Sequence, residues 1–321
     1  MFFGHQKIVF LLTKIISGKR FPHFFIFWGE DSLGKRTLAN YLAKYLLGSH
    51  NLLFSEFILK ECLCQSCYLI EKKNHPDFFE ISQEEEIKID QIRQIQEIER
   101  LKTSRRKIFV LDHGENLSNE AQGALLKTLE EPKTNSIFFL ITPFLEKLPK
   151  TIISRAQIIR FSPLKREEVK SFLFSFKNSK SLDNQTLEEI LDFSCGKPGK
   201  AKEMLFSKNE LEKVKKIFKI FLEYKEMAFW EKENFLEKME EKKVLELFFY
   251  FEVFLFEVLR VSFGLLPKYL LFHQNDLKTY AQNFAKKDLI LLLKELQKLK
   301  KIAYFSNVKP HFAFETFSLI F

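Results

Sequence analysis

A short apolar segment followed by a glycine-containing loop is the feature that most constrains the fold of this chain. The segment FFIFW occupies positions 24–28 and is followed by GEDSLGKRT. Apolar residues at helical spacing come next, namely Leu38, Tyr41, Leu42, Tyr45 and Leu46. This order predicts a buried strand, a loop of the kind that binds phosphate, and a helix.

Two later segments predict further buried strands. One runs from Lys107 to Leu111 and is followed by Asp112, and the other runs from Ser136 to Thr142. Strands that are apolar along their whole length and are separated by helices belong to parallel sheets covered on both faces. We therefore predict an α/β fold with a parallel sheet and helices on both faces.

Strand signals stop after Pro163, and the rest of the chain has the composition of helices. We predict helices from Lys165 to Lys177 and from Asp183 to Ser194. The chain has 10 Gly and 9 Pro in 321 residues, against 38 Phe. So few helix-breaking residues predict long helices, and the phenylalanines predict bulky cores. We therefore expect the part of the chain after Pro163 to be helical, with a small helical domain at 164–207 and an all-α bundle at 208–321.

Charge and the first residues indicate a soluble, cytoplasmic protein without membrane partners. The net charge of +9 is spread evenly over the chain and permits contact with a polyanion without identifying one. The start, MFFGHQKIVF, lacks the features of a secretory signal. The most apolar segment, Leu245 to Leu266, carries Glu246, Glu252, Glu257 and Arg260, which favours a buried or partner-facing helix over a membrane span.

The loop at 29–36 keeps most of a phosphate-binding motif. That motif is Gly-x4-Gly-Lys-[Ser/Thr], in which the hydroxyl residue binds magnesium. Gly29, Gly34 and Lys35 match it, but the hydroxyl position is Arg36, and Thr37 comes one residue too late. Nucleotide binding and a vestigial loop both remain open, with Gly29, Gly34, Lys35, Thr37 and Asp112 as the candidate binding residues.

The strand end at Asp112 resembles the partner motif of a nucleotide site, in which an aspartate supports magnesium and the next residue activates water. The next residue here is His113. Because both the magnesium hydroxyl and the usual base are replaced, we expect that the chain has lost ATP hydrolysis. Alternatively, His113 acts as the base, or is a strand-end residue with no chemical role, and Glu115 caps the next turn.

Several motifs together resemble the AAA+ clamp-loader family of bacterial DNA polymerase III. They are Gly4-His-Gln6, Asn74-His-Pro-Asp77, the segment ALLKTLEEP from Ala124 to Pro132, Thr151-Ile-Ile-Ser-Arg155 and Asn307-Val-Lys-Pro310. The resemblance implies an AAA+ nucleotide-binding-like domain at 1–163, a helical lid at 164–207 and a helical collar for oligomerisation at 208–321. It also implies a hetero-pentamer with the ATPase gamma/tau subunits and delta, and contact with primed DNA and a sliding clamp through that complex.

The resemblance assigns a catalytic role to Arg155. In the family, the Ser-Arg pair projects an arginine into the ATP site of the neighbouring subunit, where it stabilises the charge on the γ-phosphate. The second sensor of the family's ATPase subunits contains an arginine, whereas this chain has Gly196-Lys-Pro-Gly199. Lys200 follows at a different angle around the helix. The resemblance therefore implies a subunit that donates Arg155 and does not hydrolyse ATP.

A cysteine cluster indicates a metal site, because Cys62, Cys64 and Cys67 lie close together. The family resemblance implies zinc held by four cysteines in this stretch. This chain lacks the upstream cysteine, and its Cys62 is one residue too close. His50 and His75 are the nearest alternative fourth ligands. Zinc on three thiols plus one further ligand and a cluster that has lost its metal both remain open.

The sequence leaves two other functions open. One is an active ATPase subunit of the same assembly, with Arg36, Thr37 and His113 in the vacant roles. The other is a stand-alone nucleic-acid-binding protein, suggested by a cluster of basic residues before a predicted strand. Its members are Arg100, Lys102, Arg105, Arg106 and Lys107.

Overall fold

The computed structural model describes most of the chain. The described residues are 2–18, 21–48, 50, 52–60, 62–82, 85–101, 106–132, 135–227, 229–269, 271–272, 274–305 and 308–318. Two compact units are present, one made of Met1–Ser181 with Gly196–Lys202, and the other of Leu182–Cys195 with Glu203–Phe321. The predicted boundaries at 163 and 207 differ from this division, and the three-domain organisation stays a prediction.

The first unit contains a five-stranded parallel sheet with the strand order β2-β3-β4-β1-β5. Its strands are β1 (Phe24–Trp28), β2 (Phe78–Ser82), β3 (Lys107–Asp112), β4 (Ser136–Thr142) and β5 (Gln157–Arg160). The three strands predicted from the sequence are confirmed, with β3 extended by Asp112. The structure adds β2 and β5 at the two edges of the sheet.

Helices cover both faces of this sheet, as predicted. The helices of the first unit are α1 (Gln6–Ser17), α2 (Lys35–Leu47), α3 (Phe54–Phe57), α4 (Gln65–Glu71), α5 (Ile89–Arg100), α6 (Asn119–Glu130), α7 (Lys150–Ile153), α8 (Arg166–Phe174) and the start of α10 (Pro198–Phe206). Alternate side chains of a strand point to opposite faces. In β1, Phe25 and Phe27 pack with the apolar residues of α1 to α4, whereas Phe24 and Ile26 pack with those of α5 to α7. The α/β fold class is thus confirmed.

The second unit is helical, in agreement with the scarcity of glycine and proline. Its helices are α9 (Asn184–Phe193), the end of α10, α11 (Lys208–Glu226), α12 (Phe229–Glu237), α13 (Glu241–Ser262), α14 (Gln274–Asn283), α15 (Lys286–Phe305) and α16 (Pro310–Ser318). Among the described residues, no helix has the length and apolar character needed to cross a membrane.

Phenylalanine rings form the centre of this helical unit. Phe221, Phe248, Phe251 and Phe314 are fully or almost fully buried. The ring centroids of Phe221 and Phe251 are 4.8 Å apart, and those of Phe248 and Phe314 are 4.7 Å apart, both edge to face. Such pairs are favourable beyond their buried area. Phenylalanine rings therefore form much of the core of the bundle.

Candidate functional site

The glycine-containing loop joins the end of β1 to the start of α2, as the sequence predicted. Gly34 immediately precedes α2. Gly29 has φ of 150°, and a Cβ atom there would lie 2.5 Å from the carbonyl oxygen of Phe161. The amide of Phe161 in turn donates to the carbonyl of Trp28 at 2.7 Å. Gly29 is therefore required where the chain after β5 passes close to the loop.

Lys35 is buried at the base of this loop, with 5% of its side chain exposed. Its Nζ donates to the carbonyl oxygen of Gly29 and, at 2.7 Å, to that of Glu30. Asp31 lies 3.7 Å away and is mostly exposed. Burial lowers the pKa of Lys35, and the carboxylates of Asp31, Asp112 and Glu115 oppose this shift. The lysine is thus held by the carbonyl groups of its own loop.

Arg36 connects α2 to two strands of the sheet. Its Nε donates to Oε1 of Glu80 in β2, and its Nη1 lies 3.7 Å from Oδ2 of Asp112 at the end of β3. Thr37, one residue further along the helix, is exposed. The residue that meets Asp112 is therefore the arginine at the hydroxyl position of the motif. Sequence reasoning missed Glu80, because β2 was not predicted.

Asp112, His113 and Glu115 form a polar group where β3 ends. His113 has a left-handed backbone, its amide donates to Asp112, and its Nδ1 lies 3.3 Å from Glu115. The hydrogen bond with Glu115 raises the pKa of His113. Burial would raise the pKa of Glu115, but the hydrogen bond from His113 and other hydrogen bonds outweigh it and lower that pKa. Burial raises the pKa of Asp112 against the effect of His113 and Arg36. His113 is thus paired with Glu115.

The start of helix α10 contacts the same loop. The amide of Gly199 donates to the carbonyl of Ser32 at 2.9 Å, and a Cβ atom at Gly199 would lie within 3.1 Å of the Ser32 backbone. Nζ of Lys197 lies 2.5 Å from Glu30, and only 7% of the Lys197 side chain is exposed. Lys197 was not singled out from the sequence, which had drawn attention to Lys200. The loop is therefore bound both by its own lysine and by residues at and just before the start of α10.

Arg155 lies at the surface, just after α7. Its Nη1 donates to the carbonyl of Thr151 at 2.8 Å, and its Nη2 donates to Glu130 at 2.7 Å. The side chains of Arg155 and Glu130 are 36% and 42% exposed, respectively. Glu130 ends α6 within the ALLKTLEEP segment. An exposed ion pair of this kind is weak, so the guanidinium can exchange its partner at little cost.

The structure brings His50 together with the three clustered cysteines. The ligand atoms of His50, Cys62, Cys64 and Cys67 all lie within 4.8 Å of one another. Nε2 of His50 is 3.1 Å from the carbonyl oxygen of Lys44, which can only accept, and 3.7 Å from Sγ of Cys67. The carbonyl contact favours the tautomer with the proton on Nε2 and the lone pair on Nδ1. Nδ1 is 3.8 Å from Sγ of Cys62.

The donor set of this cluster fits zinc. Structural zinc takes four Cys or His ligands in a tetrahedron, and a ligating histidine usually donates its second ring N–H to a carbonyl or carboxylate. When bound, such an ion crosslinks the segment 50–67. His75, the other candidate ligand, lies outside the cluster, where its Nδ1 accepts from the amide of Asp77 at 3.1 Å.

Known proteins resemble this chain over different parts of its length. A family model described as DNA polymerase III, delta subunit matches residues 4–165. A DNA polymerase III subunit gamma from Buchnera aphidicola subsp. Schizaphis graminum is 28% identical over 330 residues, covering 94% of this chain and 89% of that protein. A DNA polymerase III subunit delta' from Bacillus subtilis is 33% identical over 172 residues, covering 52% of this chain and 50% of that protein.

A solved structure of a DNA polymerase III gamma subunit-related protein from Thermotoga maritima also aligns with this chain. It is 18% identical, with 97% of each chain covered and a TM-score of 0.44.

The parallel sheet, the glycine-containing loop and the helical second unit define a protein of the AAA+ class. The family match covers half of the chain and includes the loop, β3 and Arg155. The chain therefore belongs to the clamp-loader family of DNA polymerase III subunits.

Proposed function

We propose that this chain is a non-hydrolysing, delta-prime-like subunit of a DNA polymerase III clamp loader, and that it donates Arg155 to the ATP site of a neighbouring subunit. The observation that carries the proposal is the contrast between two arginines. Arg36, at the position where the motif has a magnesium ligand, pairs with Glu80 and Asp112, whose side chains are 4% and 13% exposed, whereas Arg155 pairs with Glu130, whose side chain is 42% exposed. The first contact opposes hydrolysis in this chain, and the second leaves a guanidinium available to a neighbour.

The loop supports the first half of the proposal. The base position carries His113, which is held by Glu115, and the magnesium hydroxyl is replaced by Arg36. Phosphoryl transfer depends on the positioning of the metal and the attacking water. A site that lacks the usual groups for both tasks is expected to be inactive.

Arg155 supports the second half. A guanidinium is always charged and forks onto phosphate oxygens, so it suits an anion that arrives from another subunit. Its present partner, Glu130, offers one carboxylate oxygen at 2.7 Å, and the Thr151 carbonyl orients the other side of the fork. We propose that the γ-phosphate of the neighbouring site replaces Glu130 as the partner of Arg155.

An active ATPase subunit is the second candidate, favoured by the 28% identity to a gamma subunit over nearly the whole chain. Arg36, Thr37 and His113 would then fill the vacant roles. ATP turnover by the purified chain separates the two candidates. We expect no turnover above that of a Lys35→Ala variant. Turnover that requires Lys35 would show that the chain is an active ATPase and would contradict the proposal of a non-hydrolysing subunit.

A stand-alone nucleic-acid-binding protein receives less support from the structure. Lys107 is buried and its Nζ donates to the carbonyls of Ile98 and Leu101, so it does not belong to a surface patch. Lys102 and Arg105 lie outside the described residues. We expect no tight binding of primer-template DNA by the chain without partner subunits; such binding would favour this function.

We further propose that His50, Cys62, Cys64 and Cys67 hold one structural zinc ion. Metal analysis of protein purified without added zinc should give close to one equivalent. His50→Ala should lower that content, whereas the control His75→Ala should retain it, because His75 lies outside the cluster. Less than about half an equivalent in the unaltered protein would rule out a stable site.

The assembly partners of the chain also belong to the proposal. We propose that it joins the ATPase gamma/tau subunits and delta in a hetero-pentamer, and that it meets primed DNA and the sliding clamp as part of that complex in the cytoplasm. The names of the gamma and delta' relatives support this assembly.

A further inference from the structure

The guanidinium of Arg36 lies between two carboxylates on neighbouring strands. Glu80 in β2 accepts from its Nε, and Asp112 at the end of β3 lies 3.7 Å from its Nη1. The two carboxylate side chains are 4% and 13% exposed, respectively. Buried carboxylates need a positive partner, because an uncompensated charge in the interior is costly.

The sheet register explains why both carboxylates meet Arg36. Glu80 pairs with Val110, and Asp112 follows Val110 by two residues, so all three side chains point to the same face. Val110 packs with the apolar residues of α2 on that face. The start of α2 therefore places Arg36 directly over two acidic side chains that the sheet itself brings together.

We propose that Arg36 is a built-in replacement for a divalent cation, and that a divalent-cation site formed by Asp112 and Glu80 reappears when Arg36 is removed. This inference rests on the proposal that the chain does not hydrolyse ATP, and it gives that loss a structural cause. Magnesium takes oxygen ligands, and the phosphate-binding motif supplies one from the hydroxyl residue at position 36. In this chain the same position supplies the positive charge itself.

The charge count around these carboxylates agrees with this replacement. Nζ of Lys73 lies 3.4 Å from the second oxygen of Glu80. The ion pairs within 4 Å thus match two cations, Arg36 and Lys73, with two anions, Glu80 and Asp112. Lys35 and His113 also act on Asp112 electrostatically, so a divalent ion added there would meet carboxylates that are already compensated. Removing Arg36 takes away the cation that both carboxylates share and opens the space occupied by its guanidinium.

The test measures binding of Mn²⁺, as a probe for Mg²⁺, to the isolated 321-residue chain in the absence of nucleotide. We expect the unaltered chain and Arg36→Lys, the matched control that keeps the charge, to show no shift of the thermal unfolding midpoint at about 5 mM Mn²⁺. Arg36→Thr should unfold at a lower temperature without metal and recover several degrees with Mn²⁺. Adding Asp112→Asn to Arg36→Thr should abolish that recovery.

Two results would overturn the proposal. One is an Arg36→Thr variant that folds but shows no Mn²⁺ response sensitive to Asp112→Asn. The other is an unaltered chain that already binds Mn²⁺ through Asp112, which can be measured even if Arg36→Thr does not fold. Because neither readout involves ATP or partner subunits, failure here is distinct from failure of the arginine-donor role.

Discussion

At the scale of single residues, the glycine-containing loop is defined by close backbone contacts as much as by its phosphate-binding motif. Gly29 has a positive φ, and a Cβ atom there would lie 2.5 Å from the Phe161 carbonyl. Gly123 lies in the exposed part of α6, and a Cβ atom added there would meet no other atom within 4 Å. The two glycines therefore differ in what an added methyl group would do.

We predict opposite effects of alanine at these two positions. Gly29→Ala should lower the free energy of unfolding of the α/β unit by about 1–3 kcal/mol, because of backbone strain and the clash. Gly123→Ala should raise it by about 0.5–1 kcal/mol, because alanine favours the helix. Urea denaturation followed by the fluorescence of Trp28, in a Trp230→Phe background, measures both. Equal effects would contradict this account of Gly29.

The pair of His113 and Glu115 should make stability depend on pH. The pKa of His113 is raised above 6.5 and that of Glu115 is lowered below 4.5 in the folded protein. The histidine contribution is then complete below pH 6.5 and is lost as the pH rises through the raised pKa. The glutamate contribution is complete above pH 4.5 and is lost as the pH falls through the lowered pKa.

We therefore predict that His113→Asn destabilises the protein more at about pH 6 than at about pH 8.5. The thermal unfolding midpoints of the variant and of the unaltered chain are measured at each pH, and the difference between them is compared between the two pH values. A difference that does not change between them would show that His113 and Glu115 do not form this pair.

The sequence identified most of the site residues, but it did not identify which of them are in contact. The loop, the replaced hydroxyl at Arg36 and the cysteine cluster all follow from spacing along the chain. The partner Glu80 lies 44 positions from Arg36, so the contact depends on the pairing of β2 with β3, which local patterns do not specify. His50 was one of two candidates, and only the fold showed that it lies beside the cysteines while His75 does not.

At the scale of elements, central strands were predictable and edge strands were not. β4 is buried along its whole length and reads as a continuous apolar segment, SIFFLIT. β5 has the sequence QIIR, with exposed residues at both ends, and β2 contains Glu80. A short strand at the edge of a sheet has too little apolar character to stand out from a loop.

Helix α13 contains a buried glutamate, Glu257, whose ionised form should destabilise the helical unit. Glu257 is fully buried; its Oε2 accepts from the amide of Lys268 at 2.7 Å, and its Oε1 has no hydrogen-bond partner among the described residues. Burial raises the pKa of Glu257 above 4.5, against the hydrogen bond from Lys268 and the charge of Arg260. The cost of the charge therefore appears as the pH rises above 4.5.

We predict that Glu257→Gln stabilises the helical unit at about pH 8 and has a smaller effect at about pH 4. Glutamine keeps an acceptor for the Lys268 amide and removes the buried charge. The contrasting control is Glu252→Gln, which weakens an ion pair with Lys300 and should not stabilise the protein. The measurement is the thermal unfolding midpoint of each variant at the two pH values. A lower midpoint for Glu257→Gln than for the unaltered chain at about pH 8 would contradict the prediction.

At the scale of the whole molecule, the pattern of apolar strands and helices predicted the fold class, and the motifs indicated the clamp-loader family. The net charge of +9 is spread along the chain and does not mark a DNA-binding surface. Phenylalanine is divided equally between the two units, with 19 of the 38 in each, and in the helical unit its packed rings form much of the core. We propose that the chain contributes to ATP hydrolysis through Arg155 and not through its own loop.

The most direct test is DNA-stimulated ATP hydrolysis by a loader reconstituted with its ATPase subunits, sliding clamp and primed DNA. Loss of an arginine that acts in trans slows the site it serves by about 10³-fold or more. We predict that Arg155→Ala and Arg155→Lys lower the total rate by the share of one neighbouring site, and that Lys35→Ala leaves it nearly unchanged. An unchanged rate with Arg155→Ala, or an equal loss with Lys35→Ala, would contradict the account.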